Sequence, residues 1–140
     1  MYLLDVNVWL ALAFDSHRHH VSAAAWFDSA PDESCCFCRL TQMGFLRIAT
    51  TPRLMMERAL QLNEAWQIYD QLYEDPRVVY IEEPAGVEPA WRAFTQRQTF
   101  SPKLWNDAYV AAFAGVAGLE VITFDKGFAQ YTGLQSTILA

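Results

Sequence analysis

Residues 1–10, MYLLDVNVWL, place the acid Asp5 directly after a short apolar run and just before a second apolar stretch. Residues 120–127, EVITFDKG, repeat the arrangement, with Asp125 closing the apolar run VITF. Short, continuous apolar runs of this kind are typical of parallel strands that are buried on both faces. These two strand ends determine the fold prediction, and they raise the question of whether their acids meet.

Segments with strand character alternate with segments of helical periodicity along the chain. The predicted strands are YLLD (2–5), SCCFC (34–38), VVYI (78–81), VITF (121–124) and a short STIL (136–139). The intervening segments carry apolar residues at helical spacing, and Asn7 is a good N-cap for the helix VWLALAF. The alternation predicts an α/β fold, a single domain over residues 1–140, with a mainly parallel central sheet of four to five strands and helices on both faces.

Composition restricts the possible functions of the chain. It has 140 residues, of which 53% are hydrophobic, and a formal net charge of −6. An acidic protein does not hold nucleic acid by general counterion release, so any action on RNA or DNA needs a metal or a few placed basic groups. No apolar run reaches the roughly 18–20 residues of a membrane span, and no signal peptide is recognisable. We therefore expect a cytoplasmic protein without a membrane partner.

Two clusters contain residue types that bind transition metals, but neither has the spacing of a metal site. The motif CCFC at 35–38 has no second cysteine cluster to complete a ligand set, so we expect its cysteines to fill a buried strand. The motif HRHH at 17–20 has no third ligand nearby, and we expect a helix–helix junction there.

The parallel topology predicts that several polar side chains share one edge of the sheet. All parallel strands end at the same edge, so Asp5 and Asp125 belong there. Helices that connect parallel strands begin or end at that edge, which also places Asp107 in KLWND and Gln42 in RLTQ on the same side. Ligands of α/β proteins bind at this edge. Three carboxylates and one amide are therefore predicted to converge.

Converging acids repel one another unless a cation neutralises them, and hard carboxylate and amide oxygens suit Mg²⁺ or Mn²⁺. Such ions support phosphodiester cleavage, which an acidic protein could then perform. Each acid also has a simpler interpretation. Asp5 could cap the first helix, Asp107 could pair with Lys103 one turn earlier, and Asp125 could begin the turn before Gly127. Together these alternatives are weaker, because Asp107 is the only charge in the apolar segment 104–119.

The motifs LLDVNVWLAL, TQMGFLR, KLWNDAYVAAFA and VITFDKGF resemble those of PIN-domain proteins, in particular VapC-type toxins of toxin–antitoxin systems. The resemblance covers nearly the whole chain in the same order. It implies a three-layer α/β/α fold, Mg²⁺- or Mn²⁺-dependent endoribonuclease activity on an RNA substrate, a homodimer and inhibition by a small antitoxin protein. By position, Asp5, Asp107 and Asp125 match the metal-binding and catalytic acids of the family, and Thr123 matches a frequent hydroxyl.

One position departs from the family pattern. Many members have glutamate where this chain has Gln42, so a second metal site is in doubt more than the first. We expect Asn7 and Gln42 to coordinate the metal or to hold a metal-bound water. If Gln42 faces the metal, Gln42→Glu should tighten divalent-ion binding, because a fourth carboxylate adds Coulomb attraction.

Arg39 and Lys103 begin helices on the active edge and are candidates for contacts with substrate phosphates. For Trp9 and Trp105, which lie near the predicted catalytic positions, we favour packing over base stacking. Two alternative functions stay open. One is a PIN-like binding module with weak or no catalysis, and the other is a phosphatase of the haloacid dehalogenase type, which requires a second aspartate where Asn7 stands.

Overall fold

The fold is built on a five-stranded parallel sheet, and the computed structural model describes all 140 residues. The strands are β1 (Tyr2–Leu4), β2 (Cys35–Phe37), β3 (Val78–Tyr80), β4 (Glu120–Thr123) and β5 (Ser136–Ile138). Their order across the sheet is β3-β2-β1-β4-β5, and every neighbouring pair is parallel. The predicted parallel sheet is confirmed, with the short fifth strand included.

Helices cover both faces of this sheet. They are α1 (Val6–Ala13), α2 (His20–Asp28), α3 (Arg39–Ala49), α4 (Pro52–Met55), α5 (Leu62–Leu72), α6 (Val87–Thr95) and α7 (Leu104–Ala117), with 3₁₀ turns at Met56–Arg58 and Lys126–Gln130. Helices α6 and α7 pack on one face, whereas α1, α2, α3 and α5 pack on the other. The three-layer α/β/α architecture is confirmed. No helix combines the length and the apolar character that crossing a membrane requires.

The two hydrophobic cores follow from the twofold periodicity of the strands. Leu3 and Val121 belong to the core under α6 and α7, whereas their neighbours Leu4 and Ile122 belong to the opposite core. All four side chains are fully buried, because successive residues of a strand point to opposite faces. The three cysteines are free and buried, as predicted for a strand that packs on both sides: Cys35 and Cys36 lie in β2, and Cys38 directly follows it.

Topology brings the functional segments to the carboxyl edge of the sheet. Helix α3 begins directly after β2, and α7 begins at this edge and returns the chain to β4. Helix α7 ends, as predicted, at Gly118, whose φ of +71° lies in the left-handed region that glycine adopts without a Cβ clash. The edge therefore holds the end of β1, the end of β4 and the starts of α3 and α7.

The start of α1 differs from the prediction. Asp5, and not Asn7, is the N-cap, since its Oδ1 accepts a hydrogen bond of 2.8 Å from the Val6 backbone N–H. The helix therefore begins at Val6, and Asn7 lies inside its first turn. The Asn7 amide is thereby free for contacts with another strand.

Candidate active site

Asp5 and Asp125 meet at the junction of the two central strands. β1 and β4 are paired in register, with Leu4 opposite Ile122, and the Asp5 backbone N–H donates to the Ile122 carbonyl at 2.9 Å. Asp125 follows two residues after β4 and therefore lies beside Asp5. The Thr123 hydroxyl links the two acids, since it donates to Asp5 Oδ2 and its oxygen accepts from the Asp125 backbone N–H. Burial raises the pKa of Asp5, and the negative charge of Asp125 adds to the shift.

The Asp5 carboxylate is held in a fixed orientation. Its Oδ1 is bound to the Val6 N–H, and its Oδ2 accepts hydrogen bonds from the Thr123 hydroxyl at 2.7 Å and the Asn7 amide at 3.1 Å. Burial raises the pKa of Asp5, although these hydrogen bonds to the charged form oppose the shift. Burial therefore disfavours the charged form of Asp5.

Asn7 and Thr123 connect the two strand ends. The Asn7 amide nitrogen also lies 3.3 Å from Thr123 Oγ1, and its Oδ1 accepts from the Phe124 backbone N–H at 3.2 Å. Thr123 Oγ1 in turn accepts from the Asp125 backbone N–H at 2.9 Å. One hydroxyl, fully buried, therefore orients both Asp5 and the backbone of Asp125.

Asp107 lies in the first turn of α7. Burial raises its pKa to about 6, and the charge of Asp5 adds to the shift. The ammonium of Lys103, one turn earlier, lies 3.9 Å from Asp107 Oδ2 and opposes it. The i,i+4 pair predicted from the sequence is present, but it is too long to be a direct hydrogen bond.

Lys103 makes its closest contact with the third acid. Its Nζ lies 2.8 Å from Asp125 Oδ2, while Asp125 Oδ1 accepts from the Gly127 backbone N–H at 2.8 Å. This contact with Lys103 is the main reason that the pKa of Asp125 is lowered, in contrast to those of Asp5 and Asp107. The side chain of Lys103 is 69% exposed, so it is free to move towards solvent.

The donor chemistry of this edge fits a hard divalent cation. Three carboxylates share one edge, and the pKa values of two of them, Asp5 and Asp107, are raised. The Lys103 ammonium lies near Asp107 and Asp125 and is their counter-ion. As the side chains stand, however, no group of three or more His, Cys, Asp or Glu residues is arranged to hold a metal ion. A shared ion would therefore require the carboxylates to turn, and Asp125 would have to leave the Lys103 ammonium.

A groove of about 850 Å³ opens beside these acids. Asp5, Asp107 and Lys103 line it together with residues of α1, α3 and α7, most of them apolar but including Thr41 and Arg47 of α3. Asn106, next to Asp107 in the first turn of α7, also lines the groove. The sequence analysis missed Asn106, and its position directly before Asp107 was the signal that could have identified it.

The structure corrects the placement of Gln42. This residue lies in the first turn of α3 at the predicted edge, but its Nε2 donates to the Tyr69 hydroxyl at 3.2 Å and its Oε1 accepts from Arg39 at 2.5 Å. Gln42 is only 8% exposed and does not line the groove. The reason is that the Tyr69 hydroxyl of α5 and the Arg39 guanidinium satisfy both ends of the amide.

Arg39 is likewise engaged away from the acids. In addition to its hydrogen bond with Gln42, its guanidinium lies over the ring of Tyr80 at 5.2 Å from the centroid. Of the two basic residues predicted near the substrate, only Lys103 therefore contacts the acid cluster. Trp9 is fully buried, as predicted, whereas Trp105 packs edge to face against Trp91 on one side and is 57% exposed on the other.

Comparison with known proteins agrees with this geometry. The chain matches the PIN domain family over residues 2–134. It is 42% identical to ribonuclease VapC41 of Mycobacterium tuberculosis, covering 100% of this chain and 99% of that protein. It is 31% identical to ribonuclease VapC38 of the same species, covering 91% of this chain and 86% of that protein.

Solved structures show the same fold. A VapBC2 complex from Rickettsia felis, bound to a DNA fragment from its promoter, superposes with a TM-score of 0.73 at 12% identity and covers 99% of this chain and 98% of the other. The M. tuberculosis toxin VapC20, described as cleaving the sarcin–ricin loop, gives a TM-score of 0.67 at 18% identity, with coverage of 96% and 99%. The chain therefore belongs to the PIN-domain family. Its full-length similarity to the M. tuberculosis proteins places it among the VapC ribonucleases.

Proposed function

We propose that this protein is an endoribonuclease that depends on Mg²⁺ or Mn²⁺ and serves as the toxin of a VapBC-like toxin–antitoxin pair. Its membership of the PIN-domain and VapC families supports the proposal, and its relatives of 42% and 31% identity are named ribonucleases. The observation that carries the proposal is structural. Asp5, Asp107 and Asp125 come from three separate elements to one edge, and burial raises the pKa values of Asp5 and Asp107.

Asp5, Asp107 and Asp125 are the residues that would hold the metal. A bound divalent ion would supply positive charge for the phosphodiester and a more acidic water. The chain contributes orientation: Thr123 and Asn7 fix the Asp5 carboxylate, and Thr123 fixes the backbone of Asp125. This rigidity lowers the reorganisation needed when charge develops on the scissile phosphate.

Lys103 is the proposed contact for a substrate phosphate. Its exposed ammonium lies against Asp125 and near Asp107, which supports a contact with a phosphate that approaches these acids. If Asp125 were to hold a cation instead, Lys103 would lose this partner and would be available to an anion. Asn106, which lines the same groove, is a neutral donor that can orient the ribose–phosphate backbone.

We further propose that the chain forms a homodimer and is inhibited by a small antitoxin protein in the cytoplasm. Solved relatives include VapBC complexes and a toxin–antitoxin complex from Klebsiella pneumoniae, which supports an antitoxin partner for this chain. The net charge of −6 and the acid cluster favour a basic partner side chain, which would compete with the metal. Association should then slow as the salt concentration rises.

A binding module without catalysis is the second candidate, and two observations favour it. The acids are not arranged to hold an ion as they stand, and the family's frequent glutamate is replaced by Gln42, which is turned away. Such a module would bind its protein partner equally well with and without divalent ions. Metal dependence therefore separates the two functions.

The test is cleavage of purified bacterial total RNA by the purified chain, with Mg²⁺ or Mn²⁺ added and with EDTA. We expect discrete fragments only when a divalent ion is present, and we expect Asp5→Asn to abolish them. The matched control is Asp70→Asn, which removes an exposed carboxylate on α5 and should cleave like wild type. Cleavage that persists in EDTA, or in Asp5→Asn, would contradict the proposal.

A further inference from the structure

A separate cavity of about 310 Å³ lies at the loop that joins α6 to α7. Its lining includes Thr95, Arg97, Phe100, Ser101 and Trp105, so aromatic rings, hydroxyls and a guanidinium surround one space. The volume is at the lower end of the range for small-molecule pockets. None of the three acids of the candidate active site lines this cavity.

Two aromatic rings at this cavity are left to solvent. The side chain of Phe100 is fully exposed, and Trp105 is 57% exposed. Large aromatic side chains normally lie in the core, because burial of their apolar area stabilises the fold. Two rings left open at one cavity give it exposed aromatic faces on which a flat ligand can stack.

Trp105 is held in place by Trp91 of α6. The Trp91 indole N–H donates to the Trp105 backbone carbonyl at 2.9 Å, and the two indole rings meet edge to face at 5.9 Å between centroids. Trp91 also packs edge to face against Tyr109, at 5.6 Å between centroids. The exposed part of the Trp105 ring is therefore presented on a fixed support.

The charge of this cavity suits a polyanion. No aspartate or glutamate lines it, although the chain as a whole carries 16 acids and a net charge of −6. Arg97 contributes a positive charge, and its guanidinium is oriented by a hydrogen bond of 2.6 Å to Gln130. In an otherwise acidic protein, this surface accepts phosphate-bearing ligands without carboxylate repulsion.

The cavity adjoins the candidate active site through the chain itself. Pro102 and Leu104 line the cavity, and Lys103 between them contacts Asp125. Trp105 lies on the same first turn of α7 as Asp107. The two sites meet at Lys103, whose neighbours line the cavity and whose ammonium lies at Asp125, so an RNA strand with a phosphate at Lys103 can place an adjacent base in the cavity.

From these observations we infer that the cavity at Phe100 and Trp105 is a nucleobase subsite, which stacks an unpaired base of the RNA next to the scissile phosphate. The inference rests on the proposed ribonuclease function and extends it to substrate recognition. Unpaired bases stack on aromatic side chains without needing a specific sequence, and the hydroxyls of Thr95 and Ser101 can bond to the edge of a base. Phe100 and Trp105 are thus positioning residues for the substrate.

The test measures the affinity of short fluorescein-labelled single-stranded RNA by fluorescence anisotropy in Mg²⁺ buffer. Every protein carries Asp107→Asn, so that cleavage does not consume the probe. Two probes of equal length are compared: an oligoadenylate and an abasic ribose-phosphate oligomer. The added variants are Phe100→Ala, Trp105→Ala and Trp105→Phe. The control is Trp66→Ala, which removes an indole of similar exposure (50%) on α5.

We expect Phe100→Ala and Trp105→Ala each to weaken oligoadenylate binding by about tenfold, the scale of losing one stacked base. Binding of the abasic oligomer should not change, Trp105→Phe should recover most of the affinity, and Trp66→Ala should behave like the parent. Equal affinities of the alanine variants and the parent for oligoadenylate would overturn the inference. Equal losses for both probes would also overturn it, because the rings would then not act on bases.

The outcome is independent of whether the chain cleaves RNA. If wild-type protein with Mg²⁺ or Mn²⁺ does not cleave any RNA, the proposed function fails, yet base-dependent binding at Phe100 and Trp105 is still measured. If wild-type protein cleaves RNA and the alanine variants bind oligoadenylate normally, only the subsite fails. For the cleaving enzyme, we expect Trp105→Ala to raise KM more than it lowers kcat.

Discussion

The strand ends of β1 and β4 differ from the strand end of β2, although all three lie at the same edge of the sheet. At β1 and β4, Thr123 and Asn7 bind the Asp5 carboxylate, and Asp5 lines the groove. At β2, the Gln42 amide is closed off by Tyr69 and Arg39 and is almost completely buried. At β1 and β4 a carboxylate is thus open to a ligand, whereas at β2 the Gln42 amide links α3 to α5.

This difference shows that topology fixes where a residue lies but not where its side chain points. A parallel sheet necessarily brings these residues to one edge. Their direction is decided by hydrogen-bond partners, because a buried polar group must be satisfied. The Tyr69 hydroxyl is such a partner for Gln42, whereas the partners of the acids are the Thr123 hydroxyl, the Asn7 amide and the exposed Lys103.

The largest expected effect is the loss of activity in Asp107→Asn. The substitution keeps the shape of the side chain but removes one of three proposed metal-binding charges. Cleavage of RNA in Mg²⁺ or Mn²⁺ should fall by about 100-fold or more, the scale of removing a group that stabilises charge in the transition state. Initial rates at saturating metal measure this effect. A rate within a few-fold of the Asp70→Asn control would show that Asp107 is outside the site.

A smaller effect is expected when the link between the two strand ends is removed. Thr123→Val preserves the shape but takes away the donor to Asp5 and the acceptor for the Asp125 N–H. The variant should lose roughly 1–3 kcal/mol of stability, because buried groups lose their partners, and its cleavage rate should fall. Thr123→Ser keeps the hydroxyl and should recover most of the activity. Equal activity of the valine and serine variants would show that the hydroxyl does not orient Asp5.

Asp107 should make the stability of the metal-free protein depend on pH. Its pKa is raised from 3.8 to about 6, so between these pH values the folded protein holds more protons than the unfolded chain. In EDTA, this group therefore favours folding at pH 4, and that advantage is lost as the pH rises through 6. The free energy of unfolding of Asp107→Asn, relative to wild type, should be higher at pH 7 than at pH 4 by on the order of 1–3 kcal/mol. Urea denaturation measures this, and a difference that does not change with pH would contradict it.

The smallest expected effect concerns metal binding by Gln42→Glu. From the sequence alone, this change was expected to tighten divalent-ion binding. Since the side chain faces Tyr69 and Arg39, we now expect the metal concentration for half-maximal cleavage to stay unchanged. The new carboxylate should pair with Arg39 but no longer donate to Tyr69, so stability should change by only about 1 kcal/mol. A clear shift of the metal titration would show that residue 42 turns towards the acids.

The parts of the fold that were predictable depend on local periodicity. Apolar runs that end in Asp5 and Asp125 indicated parallel strands, and parallel strands bring their ends together whatever the details of packing. The parts that were not predictable depend on distant partners. Asn7 was expected to cap α1, but Asp5 takes that role, and Asn7 binds Thr123, which lies 116 residues away in the chain.

Exposure was the other property that the sequence did not reveal. Trp9 and Trp105 are both tryptophans near acidic positions, yet Trp9 is buried and Trp105 is largely open. Trp9 stacks on Phe37 of β2 at 3.9 Å between centroids, while Trp105 lies at the start of α7 beside a loop. Nothing in the local pattern separates the two, because the difference arises from which helix face meets the sheet.

The central claim is that Asp5, Asp107 and Asp125 share one divalent cation. The most direct measurement is anomalous diffraction from crystals of the protein grown with Mn²⁺. We expect one anomalous peak within about 2.0–2.6 Å of oxygens from these three carboxylates, the range of divalent cations with oxygen ligands, with the Lys103 ammonium moved away from Asp125. Mn²⁺ bound elsewhere, with the Lys103–Asp125 contact of 2.8 Å intact, would contradict it.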